Sequence, residues 1–252
     1  MKLLITGLGG TLAPRLAEAA RAAGHGVIGW DRAAVDPDDE ARSHAWLLAQ
    51  GVDAIAHLGM GSARWAGWLA ARCPNFVFTS TAMVFDHEPD GPHHPGASRT
   101  AKDDYGRYKI DCEDAILSAS ESAVIARIGW QIDPTQPGNN MLMALDDWQR
   151  RDGHVAASRV WTPACSFMLD TAAALLMLIE HPLPGIHHLD SNAAEAWSFA
   201  AVATALAAEF GREWRVQPHE DYRHDQRLVG GMFSLPPLSK RLSIRRAGLA
   251  GA

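Results

Sequence analysis

The chain begins with a short apolar run that leads into a glycine-rich turn and then into an alanine-rich segment. Lys2–Thr6 has the character of a buried strand, and Leu12–Ala23 has the composition of a helix. From the turn into the start of this helix, Gly7, Gly10 and Ala13 are spaced three apart. Glycine permits a tight turn and lets backbone amides approach a phosphate, while a small third residue lets the helix pack on the strand. The residues expected to bind a dinucleotide pyrophosphate here are Gly7, Leu8, Gly9, Gly10, Thr11 and Leu12.

Apolar runs and helical stretches continue to alternate, which is the pattern of a parallel sheet with crossover helices. Further strands are predicted over Val27–Trp30, Asp53–Leu58, Asn75–Thr79, Ala123–Ile128 and Gly185–Leu189. Further helices are predicted over Asp104–Ser118, Ala172–Glu180 and Trp197–Phe210. A chain of 252 residues can form one large α/β unit. We predict a Rossmann-like, doubly wound parallel sheet, with most of the dinucleotide-binding core in residues 1–130. Residues 131–252 would supply the remaining core strands and a small substrate-binding part.

The composition argues against several classes of protein. A net charge of −6 speaks against a general nucleic-acid binder. The three cysteines are widely separated and have no metal-site spacing, which favours a reducing compartment. The first apolar run is too short for a signal peptide, and Ala172–Ile179 is too short to span a bilayer. We therefore expect a cytoplasmic protein with a small-molecule substrate, no nucleic-acid or membrane partner and no bound metal.

Acidic and basic residues follow the second predicted strand. Asp31 stands where an acidic side chain accepts hydrogen bonds from the adenosine ribose, which favours NAD because a carboxylate repels a 2′-phosphate. Arg32 can pair with that phosphate, so NADP is the open alternative. Asp36 is a second candidate for the adenosine end, with an ordinary loop carboxylate as the equal alternative.

A tyrosine and a lysine lie at positions i and i+4 of the helix predicted over Asp104–Ser118. Tyr105 and Lys109 therefore share one helix face. Because a free tyrosine has a pKa of about 10, a neighbouring ammonium is expected to lower that pKa and to suit the phenol to proton transfer near neutral pH. The predicted strand before this helix ends in Thr79-Ser80-Thr81, which offers hydroxyls to hold a substrate oxygen.

Taken together, these segments resemble the extended branch of the short-chain dehydrogenase/reductase superfamily, and within it the dTDP-4-dehydrorhamnose reductase type. The segments that carry the resemblance are Thr6–Ala13, Ser80–Asp86, Tyr105–Lys109, Gly138–Met141 and Ile186–Leu189. The resemblance implies an NAD(P)-dependent oxidoreductase that acts on a sugar nucleotide or a related sugar.

The resemblance also implies roles for individual residues. Tyr105 would be the catalytic acid or base, Lys109 would tune its pKa and bind the nicotinamide ribose, and Thr81 would hold the reacting oxygen. The additional residues implied to contact the cofactor are His57, Leu58, Gly59, Thr79 and Arg127. The residues implied to contact the substrate, besides Thr81, are Met83, Asn140, Trp161 and Arg227.

Two departures from the family pattern leave alternatives open. Ala82-Met83 follow Thr81 where the reductase type tends to carry an acidic and an aromatic residue. Only eighteen residues separate His57 from Phe76, so the chain is expected to lack much of a helix that often contributes to a dimer interface, and homodimer formation stays open. The alternatives are an NAD-retaining epimerase or dehydratase, and a regulatory subunit that binds NAD(P) without turnover.

Overall fold

A computed structural model describes residues 1–243, which form twelve strands and seven α-helices. The strands are β1 (Lys2–Thr6), β2 (Gly26–Gly29), β3 (Ala54–His57), β4 (Phe76–Thr81), β5 (Val124–Ile128), β6 (Trp130–Ile132), β7 (Val155–Ser158), β8 (Trp161–Thr162), β9 (Cys165–Phe167), β10 (Gly185–Leu189), β11 (Val216–His219) and β12 (His224–Asp225). The helices are α1 (Leu12–Ala22), α2 (Glu40–Gln50), α3 (Ala63–Ala70), α4 (Asp104–Ala119), α5 (Met141–Asp152), α6 (Met168–Glu180) and α7 (Phe199–Glu209).

Six of these strands form the central sheet, in the order β10-β5-β4-β3-β1-β2, and every pair in it is parallel. All six were predicted from apolar runs, and their observed bounds differ from the predicted ones by at most two residues. The connection from β2 to β3 crosses over β1, so the order of winding reverses between β1 and β3. In sheets of this kind ligands bind at that point, outside the carboxyl ends of the strands.

Helices cover both faces of the sheet, which is why the inner strands β1, β3 and β4 are buried along nearly their whole length. On one face α1 packs against α6, and the shared core includes Leu3, Ile5 and Leu16. On the other face α3 packs against α4, and the core includes Leu4, Ile55 and Phe78. The predicted Rossmann-like, doubly wound architecture is therefore confirmed.

A smaller lobe is built from the second half of the chain. It contains α5, α7 and three two-stranded parallel pairs, β6 with β9, β7 with β11 and β8 with β12. Its separate apolar core includes Ile132, Leu145, Val155, Phe199 and Leu206. Between the segments of this lobe, α6 and β10 return to the central sheet.

Three helices were not predicted from the sequence, namely α2, α3 and α5. In the shortened segment between His57 and Phe76, α3 keeps eight residues and is capped by Ser62, whose side chain accepts from the Trp65 amide at 3.1 Å. It lies so close to α4 that a Cβ on Gly67 would be 2.9 Å from the Ala115 carbonyl oxygen. Close backbone packing thus keeps a short helix on this face. Within residues 1–243, no helix combines the length and the apolar character needed to cross a membrane.

Candidate active site

A cavity of about 680 Å³ opens where β1, β4 and β5 end, beside the point where the winding reverses. Of the residues singled out from the sequence, it brings together Gly7, Gly10, Thr11, Leu12, Leu58, Thr79, Thr81, Met83, Tyr105, Lys109 and Trp161. Residues from the glycine turn, from α4 and from the small lobe therefore share one wall, although the sequence separates them by up to 154 positions.

The glycine turn has the shape that a bound phosphate requires. Gly7 has a φ of +79°, and a Cβ at this position would be 2.7 Å from the backbone of Gly59. The Gly10 amide donates to the Gly7 carbonyl oxygen at 2.8 Å, which closes the turn. Helix α1 then begins, and the side chain of its N-cap residue, Thr11, makes no capping hydrogen bond. The first amides of α1 are therefore left for an anion at the positive end of the helix dipole.

The glycine turn is fastened to the loop after β3 by a threonine that was not singled out from the sequence. Thr6 Oγ1 accepts from the Leu58 amide at 3.2 Å and from the Gly59 amide at 3.0 Å. The same oxygen lies 2.7 Å from His57 Nδ1. His57 itself is fully buried and packs edge-on against Trp65, so it supports the cavity from below instead of lining it.

Lys109 reaches the cavity from a buried position on α4, which is capped by Asp103 through the Gly106 amide at 2.8 Å. Its Nζ donates to the Thr79 carbonyl oxygen at 2.8 Å and lies 4.6 Å from the Phe78 ring centroid. Only 4% of the residue is exposed, and burial lowers the pKa of Lys109 to about 8, with Cys112 and Glu113 opposing the shift. Its ammonium therefore persists at neutral pH.

Tyr105 lies one turn before Lys109, is 41% exposed and lines the same cavity. Burial of its phenol raises the pKa of Tyr105 above 10, with the Thr81 hydroxyl opposing the shift and Asp103 adding to it. We expected Lys109 to lower this pKa. The structure differs because the Lys109 ammonium donates to Thr79 and lies 5.9 Å from the Tyr105 ring centroid.

The residues expected at the adenosine end lie beyond the cavity wall, after β2. Asp31 Oδ1 accepts from the Ala33 amide at 2.9 Å and from the Ala34 amide at 3.4 Å. The guanidinium of Arg32 lies over the Trp65 ring, with its carbon 5.1 Å from the ring centroid. Asp36 accepts from the Asp38 amide at 3.0 Å. Asp31 and Arg32 are both exposed, so neither is withdrawn from a ligand.

Three residues that the resemblance placed at the ligands have structural contacts instead. Arg127 is 1% exposed and pairs with Glu113 beneath the cavity. Asn140 caps α5 through the Met143 amide at 3.2 Å and is also buried. Arg227 is paired with Asp225 and also donates to the Ala193 carbonyl oxygen. These polar groups are satisfied within the fold, and none of the three residues lines the cavity.

Several wall residues were not assigned to the site from the sequence. Asn139 lies beside the expected Asn140, Pro163 comes from the small lobe, and Met168 is the first residue of α6. Asp86 and Gln226 meet across the wall, with Gln226 Nε2 donating to Asp86 Oδ1 at 2.8 Å. Asp86 is the last residue of the Ser80–Asp86 segment that carries the resemblance, so it could have been assigned to the site from the sequence. Gln226 has no local signal. Within residues 1–243, no cluster of three His, Cys, Asp or Glu side chains is placed to hold a metal.

Comparisons with known proteins agree with the sequence resemblance. The family model described as "RmlD substrate binding domain" matches residues 59–227. A dTDP-4-dehydrorhamnose reductase from Mycolicibacterium smegmatis is 26% identical over 272 residues, which covers 99% of this chain and 80% of the relative.

Solved structures share the fold at low sequence identity. A dTDP-4-dehydrorhamnose reductase from Bacillus anthracis, crystallised with NADP, superposes with a TM-score of 0.77 at 16% identity, covering 94% of this chain and 95% of that one. The Bordetella bronchiseptica enzyme WbmH, crystallised with NAD+, also superposes with a TM-score of 0.77 at 16% identity, covering 95% of both chains. At these identities the likeness establishes the fold.

Proposed function

The chain belongs to the RmlD substrate binding domain family, and from that membership we propose that it is an NAD(P)-dependent oxidoreductase of the extended short-chain type. Its reaction would pass a hydride between the nicotinamide and a carbonyl or alcohol carbon of a sugar nucleotide or a related sugar. The relative from M. smegmatis is named as a reductase, and the similar structures hold NADP or NAD+. The observation that carries the proposal is the position of Tyr105, Lys109 and Thr81 on the same cavity wall as the glycine turn.

A dinucleotide fits the residues that line the cavity. Its pyrophosphate would lie on the amides of the Gly7–Gly10 turn and on the uncapped start of α1, where the helix dipole favours negative charge. Among the described residues that line the cavity, Lys109 carries the positive charge, and its ammonium would hold hydroxyls of the nicotinamide ribose. Asp31 and Arg32 would meet the adenosine end, with Asp31 favouring NAD and Arg32 admitting NADP.

A bound cofactor would supply the hydride, and side chains of the protein would supply the proton. The raised pKa of Tyr105 keeps its phenol protonated at neutral pH, which suits a proton donor to a carbonyl oxygen as that oxygen receives hydride on its carbon. Thr81 Oγ1 accepts from the Met83 amide at 3.2 Å, so its own hydroxyl proton stays available to the substrate oxygen. Lys109 would act chiefly through the cofactor, because its ammonium donates to the Thr79 carbonyl oxygen and lies 5.9 Å from the Tyr105 ring centroid.

Two other functions would use the same fold and cofactor, and each differs from a reductase in a testable way. An NAD-retaining epimerase or dehydratase would return the hydride to the same substrate, and a dehydratase generally uses further acids after the threonine. Ala82 and Met83 stand there in this chain, which favours the reductase. A regulatory subunit that binds NAD(P) without turnover would not need Tyr105, so replacement of this residue separates it from an enzyme.

The test combines cofactor titration with a matched pair of variants. Wild-type protein should bind NADH or NADPH in a calorimetric titration and reduce a carbonyl substrate. Tyr105→Phe should lower turnover by about 10²–10⁴-fold while keeping cofactor affinity. Tyr108→Phe is the control, since Tyr108 lies on the same helix as Tyr105 and the change removes a hydroxyl that accepts from the Gly61 amide. If Tyr105→Phe left turnover unchanged, or neither cofactor bound, the oxidoreductase proposal would be wrong.

A further inference from the structure

Trp65 lies on α3, in the shortened segment between His57 and Phe76, and only 2% of the residue is exposed. Its ring packs edge-on against Trp30 and His57, with ring centroids 5.4 Å and 4.8 Å away, so the indole is held in one orientation. A Cβ on Gly61 would be 2.5 Å from Trp65 Cε3, so the lack of a side chain at Gly61 lets the loop after β3 lie against the ring. Trp65 therefore offers a rigid aromatic surface beside that loop.

The guanidinium of Arg32 lies over this ring, with its carbon 5.1 Å from the ring centroid. Arg32 is exposed, and its guanidinium makes no hydrogen bond or ion pair with any of residues 1–243. The neighbouring Asp31 carboxylate accepts from the Ala33 and Ala34 amides instead. Contact with an aromatic ring does not use the N–H groups of a guanidinium as hydrogen-bond donors. They are therefore free to bind an anionic ligand.

This cation lies at the adenosine end of the proposed cofactor site. Arg32 follows β2, which pairs in parallel with β1, so the carboxyl ends of the two strands lie side by side at the glycine turn. Leu8 of that turn packs on β2, because a Cβ on Gly29 would be 2.7 Å from Leu8 Cδ1. A Cβ on Gly61 would be 3.5 Å from Arg32 Nη2, and the preceding residue, Met60, lines the cavity. The guanidinium is thus close to the place where Rossmann folds bind the adenosine ribose.

Resting on the proposed function, we propose that Trp65 is a positioning residue that holds Arg32 for the 2′-phosphate of NADP, so that the protein prefers NADPH to NADH. The 2′-phosphate is the group by which the two cofactors differ, and its charged oxygens suit the free N–H groups of a guanidinium. Asp31 opposes this preference by its charge, but its Oδ1 is engaged by two backbone amides. The place at which Trp65 holds the guanidinium then decides the preference.

Trp68 provides a matched comparison on the same helix. It belongs to the same apolar core as Trp65, and the guanidinium carbon of Arg72 lies 4.0 Å from its ring centroid. Helix α3 begins after the carboxyl end of β3 and leads back to the start of β4, so Arg72 lies at the opposite edge of the sheet from Arg32. Each indole therefore carries an arginine, but only Arg32 adjoins the proposed cofactor site.

The test is a calorimetric titration of wild-type protein, Trp65→Leu and Trp68→Leu with NADPH and with NADH. Wild-type protein should bind NADPH about tenfold or more tightly than NADH. Both variants remove an indole from one core, so a general loss of packing affects both. Trp65→Leu should lower the NADPH-to-NADH affinity ratio by about threefold or more, and Trp68→Leu should keep the wild-type ratio. Titration with 2′,5′-ADP and 5′-ADP, which represent the adenosine end alone, should show the same shift.

Two further variants test the contact between Arg32 and Trp65 directly. Arg32→Lys changes an exposed residue, so the fold does not depend on it, and it keeps the charge without the planar guanidinium. It should lower the affinity ratio. In an Arg32→Ala background, Trp65→Leu should leave the ratio unchanged, because a positioning residue acts only through the group that it positions. A further fall in that background would mean that Trp65 does not act through Arg32.

The outcomes separate this inference from the proposed function. Wild-type protein that binds NADH as tightly as NADPH, or more tightly, would overturn the inference and leave the oxidoreductase standing. Equal ratios in Trp65→Leu and Trp68→Leu, or a wild-type ratio in Arg32→Lys, would show that the contact with Trp65 does not set the preference. Failure of both cofactors to bind wild-type protein would instead refute the proposed function and the inference with it.

Discussion

Glu113 on α4 and Arg127 on β5 form a two-pronged ion pair in the interior, with Arg127 Nη2 2.7 Å from Glu113 Oε2 and Arg127 Nε 2.9 Å from Glu113 Oε1. Ser80 Oγ also donates to Glu113 Oε1, at 2.5 Å. Because Ser80 precedes Thr81 on β4, this carboxylate connects the strand that carries Thr81 to the helix that carries Tyr105 and Lys109. The pair therefore holds two parts of the candidate site at a fixed separation.

Replacing Glu113 by Gln should destabilise the protein strongly. The change leaves Arg127 as a buried cation without its anion, which costs about 3–5 kcal/mol. Asp114→Asn is the matched control: Asp114 pairs with the same Arg99 that also contacts Glu113, but its side chain is 56% exposed. That loss should cost at most about 1 kcal/mol. Urea unfolding of both variants measures the difference, and equal costs would contradict a structural role for the buried pair.

Replacing Gly7 by Ala should weaken both folding and cofactor binding. A positive φ costs an alanine about 1–2 kcal/mol, and at Gly7 the new Cβ would also meet the backbone of Gly59 at 2.7 Å. Gly24→Ala isolates the first effect, because Gly24 has a φ of +84° and open space around it. Thermal unfolding and NADH titration should show a larger loss for Gly7→Ala in both measurements. A loss of stability no greater than that of Gly24→Ala would argue against the close contact with Gly59.

The stability of the protein should fall in acid partly because of His57. Burial lowers the pKa of His57 to about 3, and the charges of Lys109 and Arg32 act in the same direction. Between pH 6.5 and about 3 the unfolded chain binds a proton that the folded chain does not. This group's contribution is therefore complete above pH 6.5 and is lost as pH falls, by about 1.4 kcal/mol per unit.

In the variant His57→Asn, the unfolding free energy should fall less steeply with decreasing pH, by the slope that corresponds to one proton. Urea unfolding measured between pH 4 and 7 gives this slope. His87→Asn, at an exposed position, should leave the slope as in wild type. An unchanged slope in His57→Asn would show that His57 takes up its proton in the folded protein as readily as in the unfolded chain.

Cofactor preference should depend on two adjacent residues after β2. Asp31→Asn removes a negative charge and should raise affinity for NADPH relative to NADH. Arg32→Ala removes a cation and should lower that ratio, by about tenfold if Arg32 contacts the 2′-phosphate. Calorimetric titration with both cofactors measures the ratio. Unchanged ratios in both variants would place the adenosine ribose elsewhere.

The sequence allowed prediction of those parts of the molecule that local patterns determine. The six sheet strands are short apolar runs between breakers, and α4 begins at the predicted residue, Asp104, and ends one residue beyond the predicted Ser118. Helix α2 was missed although its signals are present, with Asp39 capping its start and Gly51 in a left-handed conformation at its end. Its first residue, Glu40, stands in an acidic run that resembles a loop.

The remaining features depend on contacts between distant residues. No local pattern pairs Asp86 with Gln226, which lie 140 residues apart. Arg127 and Arg227 looked available to ligands because a sequence does not show that Glu113 and Asp225 have already paired with them. The pKa of Tyr105 was expected to fall because helix spacing places Lys109 beside it, but spacing does not reveal that the ammonium turns toward Thr79.

The pairing of strands in the small lobe determines when this lobe can fold during synthesis. Each of its strand pairs joins distant parts of the chain, with Trp130 beside Cys165, Val155 beside Val216 and Trp161 beside His224. The central sheet can close once Leu189 has left the ribosome, whereas the lobe lacks partners for β7 and β8 until some thirty residues more have emerged. Until then the apolar face around Trp161 is uncovered. A nascent chain that stalls in this interval exposes that face, so the segment that carries β11 and β12 also protects the product from aggregation.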